Sequence, residues 1–366
     1  MTLTAGIVGL PNVGKSTLFN AITKSTIEAA NYPFATIEPN VGVVEVPDER
    51  LTKLTELIKP NKEVPTTFEF TDIAGLVKGA SKGEGLGNQF LANIRNVDAI
   101  VQVVRCFDND EIIHVEGTVD PIRDLEIINT ELILSDLEQI EKRLAKVEKK
   151  AMANGSPEEK MEVEVLHKAK SALESNTMLR DLELSKEELA VIKHMNFLTI
   201  KPMLYVGNVT EEDLMDIDSN PYYQKLVEYC QLQNVLSTFI CAKIEEDLVD
   251  LSDEEKAAFL NDLGITEPGL NRLIKLSYNL LGLATYFTAG EKEVRAWTFK
   301  QGMTAPQCAG IIHSDFEKRF IRAEVMKYDD LLEYGDEKAV RAAGKLVAEG
   351  RDYLVEDGDI IHFLSN

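Results

Sequence analysis

Residues 9–16 read Gly9-Leu10-Pro11-Asn12-Val13-Gly14-Lys15-Ser16 and fill every fixed position of G-x-x-x-x-G-K-[ST]. This motif constrains the fold more than any other feature, because it works only where a strand ends and a helix begins. Its glycines let backbone N–H groups turn inward on phosphate oxygens, and the helix behind them offers its positive end. Lys15 brings charge to the β- and γ-phosphates, and the Ser16 hydroxyl is a ligand for Mg²⁺. The apolar run Gly6–Leu10 supplies the strand, and Leu18, Phe19 and Ile22 within Ser16–Thr23 are spaced for one helix face. Further strand candidates are Val41–Val46, Thr66–Phe70, Ala99–Val104, Met203–Val206 and Val235–Ile240. Apolar runs separated by helical patterns predict an α/β fold with a parallel sheet.

The pattern is interrupted between about 127 and 200. Ile133, Leu137, Ile140, Leu144 and Val147 repeat at alternating steps of four and three, as in a coiled-coil seam. Asn154-Gly155-Ser156-Pro157 breaks it, and Ser156 with Glu159 forms a capping box that starts a second helix carrying Val165, Leu166, Ala169, Ala172 and Leu173. Ser185 and Glu188 start a third. Two helices joined by a short turn run antiparallel, so this segment reads as an inserted arm. The last 85 residues or so change again, with strands expected at Val294–Phe299, Ile311–His313, Ile321–Tyr328 and Ile360–Leu364, and a helix over Ala339–Glu349.

The chain carries 39 Lys+Arg against 62 Asp+Glu, a formal −23, which argues against a protein that coats or reads duplex DNA. The excess is local: 205–281 holds −10, while the arm holds −3 and 282–366 holds −4. Lys318, Arg319, Arg322 and Lys327 cluster around one expected strand, either a salt-bridged face or an RNA contact. Cys106, Cys230, Cys241 and Cys308 lie far apart, a spacing wrong for zinc or a disulfide framework. With neither a leader signature nor a membrane-length apolar run, a cytoplasmic protein is expected, and a monomer.

The switch elements follow the phosphate loop. Thr66–Thr71 delivers Asp72-Ile73-Ala74-Gly75, where Asp72 supports Mg²⁺ and Gly75 turns its N–H toward a γ-phosphate. Between them Thr36 is placed to close over the γ-phosphate and complete the metal shell. Leu76 follows, unable to hydrogen-bond an attacking water, so hydrolysis is slow or assisted from elsewhere. Asn12 either helps hold a K⁺ ion near the phosphates or merely stabilises its turn. Gly75, Gly79, Gly83, Gly85 and Gly87 predict a mobile segment. Guanine readers use N-K-x-D; here Asn208-Val209-Thr210-Glu211 loses the lysine and lengthens the acid, while Asn208 and backbone groups suit the N6 and N7 edge of adenine. ATP is therefore expected over GTP, with Cys241-Ala242-Lys243 packed against the base.

Taken together, G-L-P-N-V-G-K-S (9–16), N-Y-P-F-A-T-I-E-P-N (31–40), D-I-A-G-L-V-K-G-A-S-K-G-E-G-L-G (72–87), N-V-T-E (208–211) and H-S-D-F-E-K-R-F-I-R-A-E-V (313–325) resemble the YchF/Obg-like ATPase family over essentially the whole chain. Ala35 is a mild departure, since a more polar residue before the threonine is common. The resemblance implies a P-loop G domain over 1–128 and 200–280, a helical coiled-coil insertion over 129–199, and a β-grasp TGS domain over 282–366. It implies ATP hydrolysis and association with the ribosome. It carries phosphate binding onto Asn12, Val13, Gly14, Lys15, Ser16 and Thr17, Mg²⁺ onto Ser16 and Thr36, and base binding onto Asn208, Val209 and Glu211. Catalysis is assigned to Lys15, Asn12 and Gly75. Two other readings are a GTP-specific translation-associated GTPase and a module whose nucleotide occupancy, rather than turnover, does the work.

Overall fold

Alternation of apolar runs and helical patterns resolves into two six-stranded sheets in a computed structural model that describes residues 3–25, 40–75 and 86–366. Strands β1 (Thr4–Val8), β2 (Val41–Glu45), β3 (Glu63–Val64), β4 (Thr67–Asp72), β5 (Ala99–Arg105), β6 (Met203–Asn208) and β7 (Leu236–Ile240) precede β8 (Leu283–Ala289), β9 (Val294–Lys300), β10 (Phe320–Lys327), β11 (Val347–Glu349) and β12 (Asp359–Ser365). The first sheet runs β2-β4-β1-β5-β6-β7, with β1, β4, β5, β6 and β7 paired in parallel. Every residue of β5 and β6 is buried, as expected for strands covered on both faces. From β1 the order proceeds to β4 on one side and β5 on the other. In such sheets a crevice opens at the carboxyl ends beside that reversal.

Register sets what meets there. Ile7 pairs with Asp72, so β4 ends beside the end of β1, while Arg105 pairs with Asn208 and Asn208 with Ile240, so β5, β6 and β7 end together beyond it. Helix α1 (Lys15–Lys24) then buries Leu18, Phe19, Ala21 and Ile22.

The described residues form two compact units: 3–25, 40–42, 69–75 and 86–270 in one, 43–68 and 271–366 in the other. Residues 43–68, within the expected 1–128 span, fall in the second unit. Helix α2 (Glu49–Ile58) buries Leu51 and Leu54 with Phe287, Val294, Met326 and Leu331, and β3 pairs in parallel with β9. The second unit's sheet runs β11-β10-β12-β8-β9-β3. Its β8 was not anticipated, because Leu283–Ala289 continues the apolar pattern of the preceding helix, Gly269–Leu280. Ile311–His313, expected as a strand, lies instead at the end of a helix, Ala305–Ile312. The Thr304–Gln307 capping box starts it and it buries Ala305, Cys308 and Ala309. Over 339–349 the expected helix stops at Ala342. Gly344 turns at φ +73°, and Val347 leads into a strand opposite Val325. Of the basic quartet, Lys327 is paired with Glu356 and Asp359 and Arg322 with Glu324, while Lys318 and Arg319 are exposed.

Within the first unit, α3 (Leu86–Asn96) precedes β5, and α4 (Pro121–Asn154) and α5 (Pro157–Glu174) follow it. Cross-helix pairs Lys150–Glu159, Arg143–Glu162 and Glu141–Lys170 decrease along one helix as they increase along the other, which makes the two antiparallel. Ile133, Ile140, Leu144, Val165, Leu166, Ala169 and Leu173 share one core. Both capping boxes form as the sequence requires. Ser156→Ala removes the Oγ that accepts from Glu159 N–H, and is expected to cost about 1 kcal/mol, read as a shift in the urea midpoint. All four cysteines are free and buried, and burial pushes the Cys230 thiol up to about 11 and Cys308 to about 12. Among the described residues no helix is long and apolar enough to cross a membrane.

Candidate functional site

The carboxyl ends of β1, β4, β5 and β6 and the loop after β7 enclose an open cavity of about 1010 Å³. Its floor is the 9–16 loop. Asn12 and Gly14 take left-handed backbone conformations, at φ +64° and +95°, and Gly14 caps α1. A Cβ on Gly9 would lie 2.8 Å from the Val103 carbonyl oxygen, so the loop is pressed tightly against β5. Lys15 opens α1, is buried, and pairs its Nζ with Asp72 Oδ1, which β4 brings level with Ile7. Ser16 and Thr17 share the same wall. Gly75 lies close by: an ideal Cβ there would stand 3.5 Å from the Gly9 carbonyl oxygen. Lys15, Ser16, Asp72 and Gly75 are therefore assembled in one place, as their motifs predict. Thr36, Leu76 and the glycines from Gly79 to Gly85 lie outside the described residues.

The far end of the cavity is arranged differently from the expectation. Asn208 is buried, and its amide is used at both ends: Nδ2 donates to Val13 O at 2.9 Å and Oδ1 accepts from Ala242 N at 3.0 Å. It braces the phosphate loop against the 241–243 loop instead of pointing an unengaged amide at a base. Val209 is buried with its N–H on Ile240 O, and Thr210 donates N–H and hydroxyl to Asp213. Glu211 keeps an exposed side chain on the cavity, as does Lys243. Cys241 and Ala242 line the same end, and burial holds the Cys241 thiol above its ordinary value.

One wall was not anticipated from the sequence. Phe107, Asp108, Asn109 and Ile112, after β5, line the cavity. Arg105, fully buried, holds them by donating to the carbonyls of Phe107, Asn109 and Ile112 at 2.9–3.0 Å. The only sequence signal was an arginine ending an apolar strand. Asn12 Nδ2 reaches across to Ile113 O at 3.0 Å.

The donor set suits magnesium. Ser16 and Asp72 offer hard oxygens on one wall, and no cluster of three or more His, Cys, Asp or Glu among the described residues could hold a metal alone. Mg²⁺ in phosphate sites takes one or two protein ligands plus substrate oxygens and water.

Comparison with known proteins agrees with this architecture. Residues 4–152 match the MMR_HSR1 family, described as 50S ribosome-binding GTPase, and 283–366 match YchF-GTPase_C, described as a protein of unknown function. The chain is 59% identical over 366 residues to the Ribosome-binding ATPase YchF of Bacillus subtilis, and 55% identical to that of Escherichia coli O157:H7, covering all of both relatives. The solved YchF GTPase of Schizosaccharomyces pombe is 44% identical with a TM-score of 0.90, covering 99% of this chain and 98% of that one. The fold is an α/β P-loop G domain with a helical insertion and a C-terminal TGS-like domain, and the chain belongs to the YchF family.

Proposed function

We propose that this chain hydrolyses ATP to ADP and phosphate in the P-loop cavity, in preference to GTP, and works as a ribosome-associated switch in the cytoplasm. The observation that carries the reading is the meeting of Lys15, Ser16, Asp72 and Gly75 around one cavity whose other end lacks the lysine and aspartate of guanine readers. Full-length relatives named Ribosome-binding ATPase support both the reaction and the partner.

Lys15 exchanges Asp72 for β- and γ-phosphate oxygens when nucleotide enters, and stabilises charge as the γ-phosphoryl passes to water. Ser16 and Asp72, with Thr36, are the residues that would hold Mg²⁺, which would offset the negative charge of the β- and γ-phosphates when bound. Gly75 offers backbone close to the phosphate loop. Asn12 is a candidate K⁺ ligand through Oδ1, since its Nδ2 is committed to Ile113. Base selection falls to Glu211 and nearby backbone, because Asn208 acts as a brace. The three-part division into G domain, inserted arm (129–199) and TGS domain (282–366) is the working domain scheme, with 43–68 grouped with the last.

Turnover of ATP and GTP measured with and without ribosomes, in K⁺ and in Na⁺, tests the reading. ATP turnover is expected to exceed GTP turnover and to rise with ribosomes. Equal turnover and equal affinity for the two nucleotides would remove the adenine preference.

A further inference from the structure

The loop between β5 and α4 holds apolar side chains out in water. Ile112, Ile113 and Val115 are 38%, 79% and 48% exposed. The loop is nonetheless firmly built. Arg105 fastens the carbonyls of Phe107, Asn109 and Ile112, and Asn109 Oδ1 accepts from Glu111 N at 2.8 Å. On the other flank, buried His114 has Nε2 2.8 Å from Asp124 Oδ2 and accepts from Glu116 N on Nδ1. Ile113 stands between these two anchors, so its side chain cannot fold back into the core. Keeping apolar side chains in water is unfavourable, and a patch of them marks a partner surface.

The chemistry around the patch selects the partner. Asp108, Asp110, Glu111 and Glu116 are exposed around it, and 106–122 contains no lysine or arginine. No ion pair engages Asp110, Glu111 or Glu116 among the described residues. Such a rim repels a phosphodiester backbone and attracts a basic protein face.

We infer that this acidic-rimmed apolar knuckle is the docking surface for a basic protein face, and that its occupancy reaches the nucleotide site through Ile113. Asn12 of the phosphate loop is one hydrogen bond away, on Ile113 O, and Ile112 lines the cavity itself. The inference rests on the ribosome-associated reading and narrows it: the contact at this face is ribosomal protein, not RNA.

Two experiments on the full chain test it. Ile113→Cys, labelled with benzophenone-maleimide, carries the probe at one site because the native thiols are buried. Irradiated with purified ribosomes, it is expected to give a crosslinked adduct that keeps its size after ribonuclease. A crosslink destroyed by ribonuclease, or co-sedimentation with no crosslink, overturns the inference. Failure of the wild-type chain to co-sediment overturns the ribosome reading itself and this inference with it. Second, Glu111→Lys with Glu116→Lys changes exposed side chains that do not line the cavity. Unstimulated turnover is expected to stay within about twofold, while ribosome affinity falls about tenfold through slower association. Unchanged or tighter ribosome binding overturns it, tighter binding being what an RNA contact would give.

Discussion

Lys15→Ala is expected to lower ATP turnover about 10²–10³-fold while the chain stays folded. Among the described residues, Lys15 and Lys243 are the cations lining the cavity, against carboxylates at Asp72, Asp108, Glu211, Glu212 and Glu246. Lys243 is exposed and belongs to the far end, so on the proposed reading the charge developing on the γ-phosphoryl group falls to Lys15. Its preorganised position at the first turn of α1 makes it effective, because no reorganisation is needed as charge develops. Stability should move far less. The Asp72 side chain is 25% exposed, so water can solvate the carboxylate once its partner is gone, at a cost of about 1 kcal/mol. Single-turnover kinetics beside a thermal melt separate the two effects. A loss below about tenfold with an intact fold would mean that another group carries the phosphate charge.

Gly14→Ala should damage the site by a different route. A methyl there must adopt φ +95°, which costs about 1–3 kcal/mol for a non-glycine residue. It would also stand 2.1 Å from Asn208 Nδ2, so the brace must yield and leave the Val13 carbonyl or the Ala242 N–H unpaired, about 1–3 kcal/mol more. The sum, about 2–6 kcal/mol, predicts about a thirtyfold loss of ATP affinity by isothermal titration where about 2 kcal/mol of it is expressed in the loop. Asn208→Ala alone loses the brace without the strain. Because the clash in Gly14→Ala is against the side chain that Asn208→Ala removes, the double variant should be less than additive by about 1 kcal/mol or more. Strict additivity would show that the brace and the phosphate loop are independent.

Much of this was legible because the information is local. The 9–16 loop and the capping boxes at Ser156 and Ser185 each encode their own backbone conformation within a few residues, through a glycine at a left-handed position or hydroxyls that reach the third N–H onward. The parallel strands were equally readable, since buried strands must be apolar along their length. Short apolar runs were not: Gly310-Ile311-Ile312 fits a strand or a helix end, and only packing of Ala305, Cys308 and Ala309 into a core chose the helix.

The division between sequence and tertiary structure follows from this. Local pattern was enough to show that a phosphate-binding loop joins a strand to a helix, that an acidic residue closes a second strand, and that a helical arm interrupts the sheet. It took the folded chain to show that 43–68 packs with the C-terminal unit, that Asn208 braces two loops, and that Arg105 builds a wall of the P-loop cavity. The first two depend on partners far away along the chain, Leu54 with Phe287 and Asn208 with Val13; the wall that Arg105 holds through nearby carbonyls meets the phosphate loop only where Asn12 reaches Ile113. Local pattern specifies the backbone a residue prefers. Which distant group satisfies a buried amide or covers an apolar face is settled when strand register and core packing bring the candidates together.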